Sequence, residues 1–184
     1  MPAIAEGALV CEGAEITGDV TIGEGTVVFP SCSIVSEEGA GSITVGPGCV
    51  VEECASIVNS GPESMTIGRG NLFEVGCSIR CKKIGEYNVF APKCRVGADV
   101  IVEDGCSIGA TVPVDLAMTV TTNSALFRAG DQPDEFKVNT PANGVSWNKC
   151  HVDSYRLALS NQGKKYYVGK YNKLLPPSPA PAPS

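Results

Sequence analysis

Histidine is almost missing from this chain: there is one, His151, among 184 residues. A zinc hydration site takes about three neutral or anionic ligands and keeps an open position for water. One histidine cannot supply them, and as a lone base His151 has no evident partner in the sequence. Basic residues are also few, 14 Lys+Arg against 20 Asp+Glu for a net charge of −6, and they form no long stripe. That argues against phosphate-backbone binding as the main task. No apolar run approaches the ~18 to 20 residues that span a bilayer. The opening "MPAIAEGALVCEGAEI" lacks the basic segment and long apolar core of a secretory signal. Nine cysteines are present, but their number is odd, and neither CxxC nor a Cys/His metal spacing occurs. The expected setting is a reducing cytosol.

What the chain does have is a period of six. Apolar residues stand at Ile4, Val10, Ile16, Ile22, Val28 and Ile34, then at Val45, Val51 and Ile57. They continue at Ile67, Phe73 and Ile79, then Ile84, Phe90, Val96, Val102 and Ile108, with Val114 as the last member. A helix repeats at about 3.6 and a strand at 2, so neither explains this spacing. A hexapeptide period is the mark of a parallel β-helix, in which each hexapeptide gives a short strand and a corner. Three hexapeptides close one triangular coil, and coils stack about 4.8 Å apart. The fold expected is mainly β: a single-stranded parallel β-helix of about six coils, beginning at Ile4, Ile22, Val45, Ile67, Ile84 and Val102. The sixth-residue side chains fill the interior. Length is ample for one domain with such a core.

The residue four places after each frame position falls inside a tight corner. It is Cys32, Cys49, Cys77, Cys94 and Cys106 in five cases, and alanine, valine, threonine or asparagine in most others. Small buried hydrophobes are the expected reading. Cys77 and Cys94 should sit on neighbouring coils, where a disulfide stays open as the alternative. Glycines after Ile22, Val45, Ile67, Ile84, Val96 and Ile108 allow backbones to approach closely. A dinucleotide-binding reading would need G-x-G-x-x-G between a strand and a helix, which "VGPGCVVEE" does not offer.

Two of the three breaks in the frame, "SEEGAGS" and "NSGPES", follow the third strand of a coil and should project from one corner, one above the other. They are either plain surface excursions or a wall for a partner. The organisation expected is a β-helix over 1–114, then an irregular last coil and loop over 115–150. A helical segment is expected over 151–175, opening near 152–162 with Asp153 or Ser154 at its start and Gly163 as its stop. A second short helix is expected to follow, with Tyr167, Val168, Tyr171 and Leu174 on one face. The helical segment should dock on the prism, because solenoids need covered flanks. Residues 176–184, "PPSPAPAPS", are expected to form a disordered tail in which a proline-motif ligand stays open.

"VGPGCVVEECASIV" is similar to the I-G-x-x-x-N-I-Q-D run of γ-class carbonic anhydrases and puts the first zinc-histidine position at Val58. "IGRGNLFEV" resembles their V-G-H-N-x-x-x-H run and puts the other two at Arg69 and Glu74. An arginine repels a metal ion, so the resemblance implies a dismantled zinc site. No residue is assigned a catalytic, cofactor-binding or metal-ligating role. In the central stretch, "N-L-F-E-V-G-C" at 71–77, "I-G-E-Y-N-V" at 84–89 and "C-S-I-G-A" at 106–110 carry a second resemblance, covering roughly 4–112, to the dynactin subunit 6 family within the same hexapeptide-repeat superfamily.

This resemblance implies a left-handed coil, which spacing alone does not fix. It also implies a non-catalytic scaffold in cytoplasmic, microtubule-associated dynactin, supporting dynein-driven endosome transport. The implied partners are dynactin subunit 5 (the sister β-helix), the pointed-end actin-related protein, the zinc-containing subunit and cargo adaptors. Nucleic acid and membrane insertion are not implied. A hydratase or acyltransferase is the alternative of a different class. A mitochondrial carbonic-anhydrase-like subunit would call for an Arg/Ser-rich presequence, which this sequence does not show. The first coil opens almost at Met1, so its strand edges are expected to be free to stack on another chain.

Overall fold

The structure is a computed structural model that describes residues 1–128, 136–139 and 144–158. Short parallel strands wind into a three-sided prism. One face stacks Ala3–Ile4, Val20–Ile22, Ile43–Val45, Met65–Ile67, Lys83–Ile84, Val100–Val102 and Met118–Val120. The next stacks Leu9–Val10, Val27–Val28, Val50–Val51, Leu72–Phe73, Val89–Phe90, Ser107–Ile108 and Ala125–Arg128. The third stacks Glu15–Thr17, Ser33–Ser36, Ser56–Asn59, Ser78–Ile79, Arg95–Val96 and Pro113–Val114.

Register follows the frame of six. Ile4 pairs with Ile22, Ile22 with Val45, Val45 with Ile67, and Ile67 with Ile84, so the inward side chains form one unbroken column. On the second face Phe73 and Phe90 occupy successive rungs, their rings stacked at 4.9 Å. From the second coil on, the frame residues are buried, and each removes its aliphatic or aromatic surface from water for about 1.5–3 kcal/mol.

The coils number seven rather than the six expected. Val120 and Leu126 stand six and twelve residues after Val114, both are buried, and their strands pair in register with the coil below. The segment expected to be an irregular last coil is therefore regular over Met118–Val120 and Ala125–Arg128. The final strand of the second face, Phe136–Asn139, adds antiparallel to Ala125–Arg128 and closes that edge.

What faces outward differs by side. The first face presents Thr21, Thr44 and Thr66 in register, then Lys83, Ile101 and Thr119, all exposed. The third presents Ser33, Ser56 and Ser78 in register, then Arg95 and Pro113. The second presents Leu9, Val27, Val50, Leu72 and Val89. These are the threonine, serine and aliphatic faces.

Corners carry the backbone specialisation. Gly68 lies so close to the coil above that an added Cβ would come 2.5 Å from the Gly85 carbonyl oxygen. Tyr87 takes a left-handed conformation (φ 54°) at a corner where the coils on either side use Gly70 (φ 65°) and Gly105 (φ 67°). The two long corners do project one above the other. Gly41 N–H donates to the Gly61 carbonyl at 2.8 Å, Asn59 Nδ2 donates to the carbonyls of Gly41 and Glu63, and Ser42 and Ser64 are joined at 3.0 Å.

Helix α1 spans Gly144–Ala158. It opens eight residues before the expected Val152, because its cap comes from another coil: Asn123 Oδ1 accepts from Val145 N–H at 2.8 Å. The expected continuation 159–162, the second short helix and the tail from 176 lie outside the described residues.

Candidate functional site

Helix α1 is docked along the aliphatic face, on the side of its corner with the threonine face. Val145, Asn148 and Val152 recur at three- and four-residue spacing, which puts them on one helical stripe. Val145 packs on the backbone of Gly105 and Asn148 and Val152 are buried. Asn148 Nδ2 donates to the Cys106 carbonyl at 2.9 Å, and Ser107 Oγ donates to Asn148 Oδ1 at 3.2 Å. Lys149 Nζ sits 5.6 Å from the centroid of the Tyr87 ring. Further along, Asp153 borders a cleft of about 240 Å³ with Glu24, Pro47, Arg69 and Tyr87. The cleft joins charges of both signs and favours no single ligand class.

The three positions equivalent to zinc histidines are spread over the prism. Arg69 and Glu74 bracket the strand Leu72–Phe73, at the two corners that bound the aliphatic face. Arg69 is exposed and Glu74 half-buried. Val58 belongs to the serine face one coil below, half-buried beside inward Ile57. Burial raises the Glu74 carboxyl above its ordinary range, Glu52 adds to the rise, and the charge of His151 opposes it. Among the described residues no three His, Cys, Asp or Glu side chains are placed to hold a metal ion. His151 lies within helix α1 and is exposed, not at the helix entry as expected.

The corner cysteines are core residues. Cys32, Cys49, Cys77, Cys94 and Cys106 are all buried, and every cysteine is a free thiol. Burial pushes the thiols of Cys32 and Cys81 up to about 12 and that of Cys106 to about 11. Cys77 is raised through its hydrogen bond with Cys94 and then by burial. Thiols held protonated in this way are poor nucleophiles and poor metal ligands.

The sequence reading missed the aliphatic face. Its signal was the residue just before each inward position: Leu9, Val27, Val50, Leu72 and Val89 stand where the other faces carry threonine or serine. Val50 and Leu72 point outward yet are buried, so that face is covered at coils three and four.

No family model matches the chain. It is 44% identical over 135 residues to dynactin subunit 6 of Xenopus tropicalis, a match spanning 67% of this chain and 66% of that protein. It is 47% identical over 109 residues to dynactin subunit 6 of Dictyostelium discoideum, spanning 59% and 58%. With the Danio rerio protein of that name it shares 40% over 136 residues, 67% of this chain and 69% of that one. Against the first two, the matched stretch therefore spans less than two thirds of the relatives' own length.

Among solved structures, a hexapeptide transferase family protein from Anaplasma phagocytophilum superposes with a TM-score of 0.72 at 17% identity, covering 87% of this chain and 92% of that one. A putative acetyltransferase from Bacillus cereus gives 0.66 at 15% identity, covering 91% and 92%. Those likenesses carry the fold alone, a left-handed hexapeptide-repeat β-helix. The identities to the curated relatives reach further: this chain belongs to the dynactin subunit 6 family.

Proposed function

We propose that the chain is a non-catalytic scaffold subunit of the dynactin pointed-end complex. In this reading it stacks through one end of its prism against the sister β-helix, subunit 5, beside the pointed-end actin-related protein and the zinc-containing subunit. Through that assembly it supports dynein-driven cargo transport in the cytoplasm. The observation that carries the docking is the first coil. Its frame residues Ile4 and Ile16 are only half-buried, whereas the frame residues of later coils are at most 3% exposed. Partly covered aliphatics of this kind gain from the addition of another coil that buries them. The partner that fits is one whose own terminal coil offers the same spacing of about 4.8 Å.

Affinity purification of the tagged chain from cytosol in mild salt tests this. Dynactin subunits should follow it, and co-expression with subunit 5 should convert a self-associating chain into a soluble pair. An isolated chain that stays monomeric and is indifferent to subunit 5 would sink the proposal. Stoichiometric zinc, or turnover with an acyl-CoA, would instead restore the enzyme reading.

A further inference from the structure

We propose that Asn88 positions helix α1 from inside the prism, without touching it. Asn88 is fully buried in the corner column that joins the threonine and aliphatic faces. Its own N–H donates to Asn71 Oδ1 at 2.8 Å, and its Oδ1 accepts from the Cys106 N–H at 2.6 Å. The carbonyl of Cys106 is the acceptor for Asn148 Nδ2 of the helix, and the next residue, Ser107, holds Asn148 Oδ1. A continuous polar chain therefore runs from coil four through Asn71, Asn88 and Cys106 into the buried side chain that fixes the register of the helix. Buried polar groups of this kind can set register where aliphatic contacts would tolerate sliding.

A second observation marks this rung. Asn88 Nδ2 is buried and has no hydrogen-bond partner among the described residues. Asn71, in the same column, places its amide on the carbonyls of Gly68 and Gly85 at 2.8 and 2.9 Å. The Gly85 carbonyl accepts from Asn71 and not from Asn88, and in coil six the place of that glycine is held by Glu103. Native interiors seldom keep an idle donor. The oxygen is the part of Asn88 that is used, and lower in the column Thr26 shows that an oxygen suffices. Thr26 Oγ1 accepts from Cys49 N–H at 3.1 Å without bringing an amide. The Cys106 carbonyl is also held by Val89 N–H at 2.9 Å, so the coil keeps its backbone pairing when Asn88 is altered. The effect should therefore stay local to the helix.

The test is native-state hydrogen exchange on the full chain, read separately for 145–152 and for coils one to three. Asn88→Val removes the acceptor and keeps a side chain that the corner slot accepts elsewhere, at Val100 and Val112. Exchange in 145–152 should rise at least about tenfold, while coils one to three change less than about twofold. Asn88→Thr keeps an acceptor and drops the idle amide, and should retain wild-type protection of the helix. Asn148→Leu cuts the same chain at its outer end. It should match Asn88→Val in helix exchange, and the double variant should add nothing further. Three results would overturn the proposal: equal deprotection of every coil, including loss of folding in Asn88→Val; an unchanged helix in that variant; or Asn88→Thr behaving like Asn88→Val.

Discussion

The threonine and aliphatic faces share a backbone, a period and an interior, and they differ in one residue per rung. Thr21, Thr44 and Thr66 precede the inward residue on one; Val27, Val50 and Leu72 precede it on the other. The first column is exposed, and in the second Val50 and Leu72 are wholly buried. The inward residue of each hexapeptide decides that the chain coils, and the outward neighbour decides what lies against the coil. Fold and attachment are thus written at adjacent positions, on opposite sides of the same strand.

The most severe way to break this contrast is a charge placed on each column. Leu72→Asp should lose on the order of 3 kcal/mol in urea unfolding, because the carboxylate is stranded beneath its cover. Thr66→Asp, in the same coil on the threonine face, should stay within about 0.5 kcal/mol, being solvated. Equal losses would mean that the two faces are equivalent and the burial of Leu72 is incidental.

A smaller effect is expected at the corners that separate the faces. At Gly68 the new Cβ of alanine would meet the Gly85 carbonyl, and Gly68→Ala should cost about 1–3 kcal/mol by forcing the rungs apart. At Gly97 the nearest atom to an added Cβ is Asp115 Cα at 3.3 Å, so Gly97→Ala should cost under about 1 kcal/mol. Melting curves of the two variants decide it, and a reversed order would remove the close-approach argument.

The finest distinction is in pH. Glu74, bounding the aliphatic face, is raised above its ordinary 4.5 by burial, with Glu52 adding to the rise. Glu103, on an exposed corner, is lowered because its carboxylate accepts from the N–H and hydroxyl of Thr122 at 2.8 and 3.0 Å. The signs are opposite. The folded chain binds the Glu74 proton more tightly than the unfolded one, so this group's contribution declines as pH rises from about 4.5 through its folded value. The Glu103 contribution is present above about 4.5 and is lost as pH falls through its folded value. Carboxyl titration by NMR should find Glu74 above and Glu103 below the ordinary glutamate; the same midpoint for both would refute the assignment.

Much of this architecture could be read from spacing, because interior columns impose one rule on every coil. The seventh coil was expected only as an irregular one, although Val120 and Leu126 keep the rule, because 115–150 is polar around these two positions and gives few other members of the frame. The start of helix α1 was not legible. Asp153 and Ser154 offer a local cap in the sequence, whereas the group that satisfies Val145 N–H belongs to Asn123, 22 residues away in sequence and adjacent only once the coils have stacked. The spread of Val58, Arg69 and Glu74 over two faces likewise needed the winding and not just the motif.

Frame positions on the threonine face stand 18, 23, 22, 17, 18 and 18 residues apart, from Ile4 to Ile22, Val45, Ile67, Ile84, Val102 and Val120, yet all of them pair in register. Every irregularity is absorbed at the edge between the serine and threonine faces, where two loops project and Cys81 is tucked inward at the shortened bend. That edge behaves as an expansion joint. Sequence can be gained or lost there without shifting the phase of anything above it, so variation in this molecule has one seam along which to accumulate.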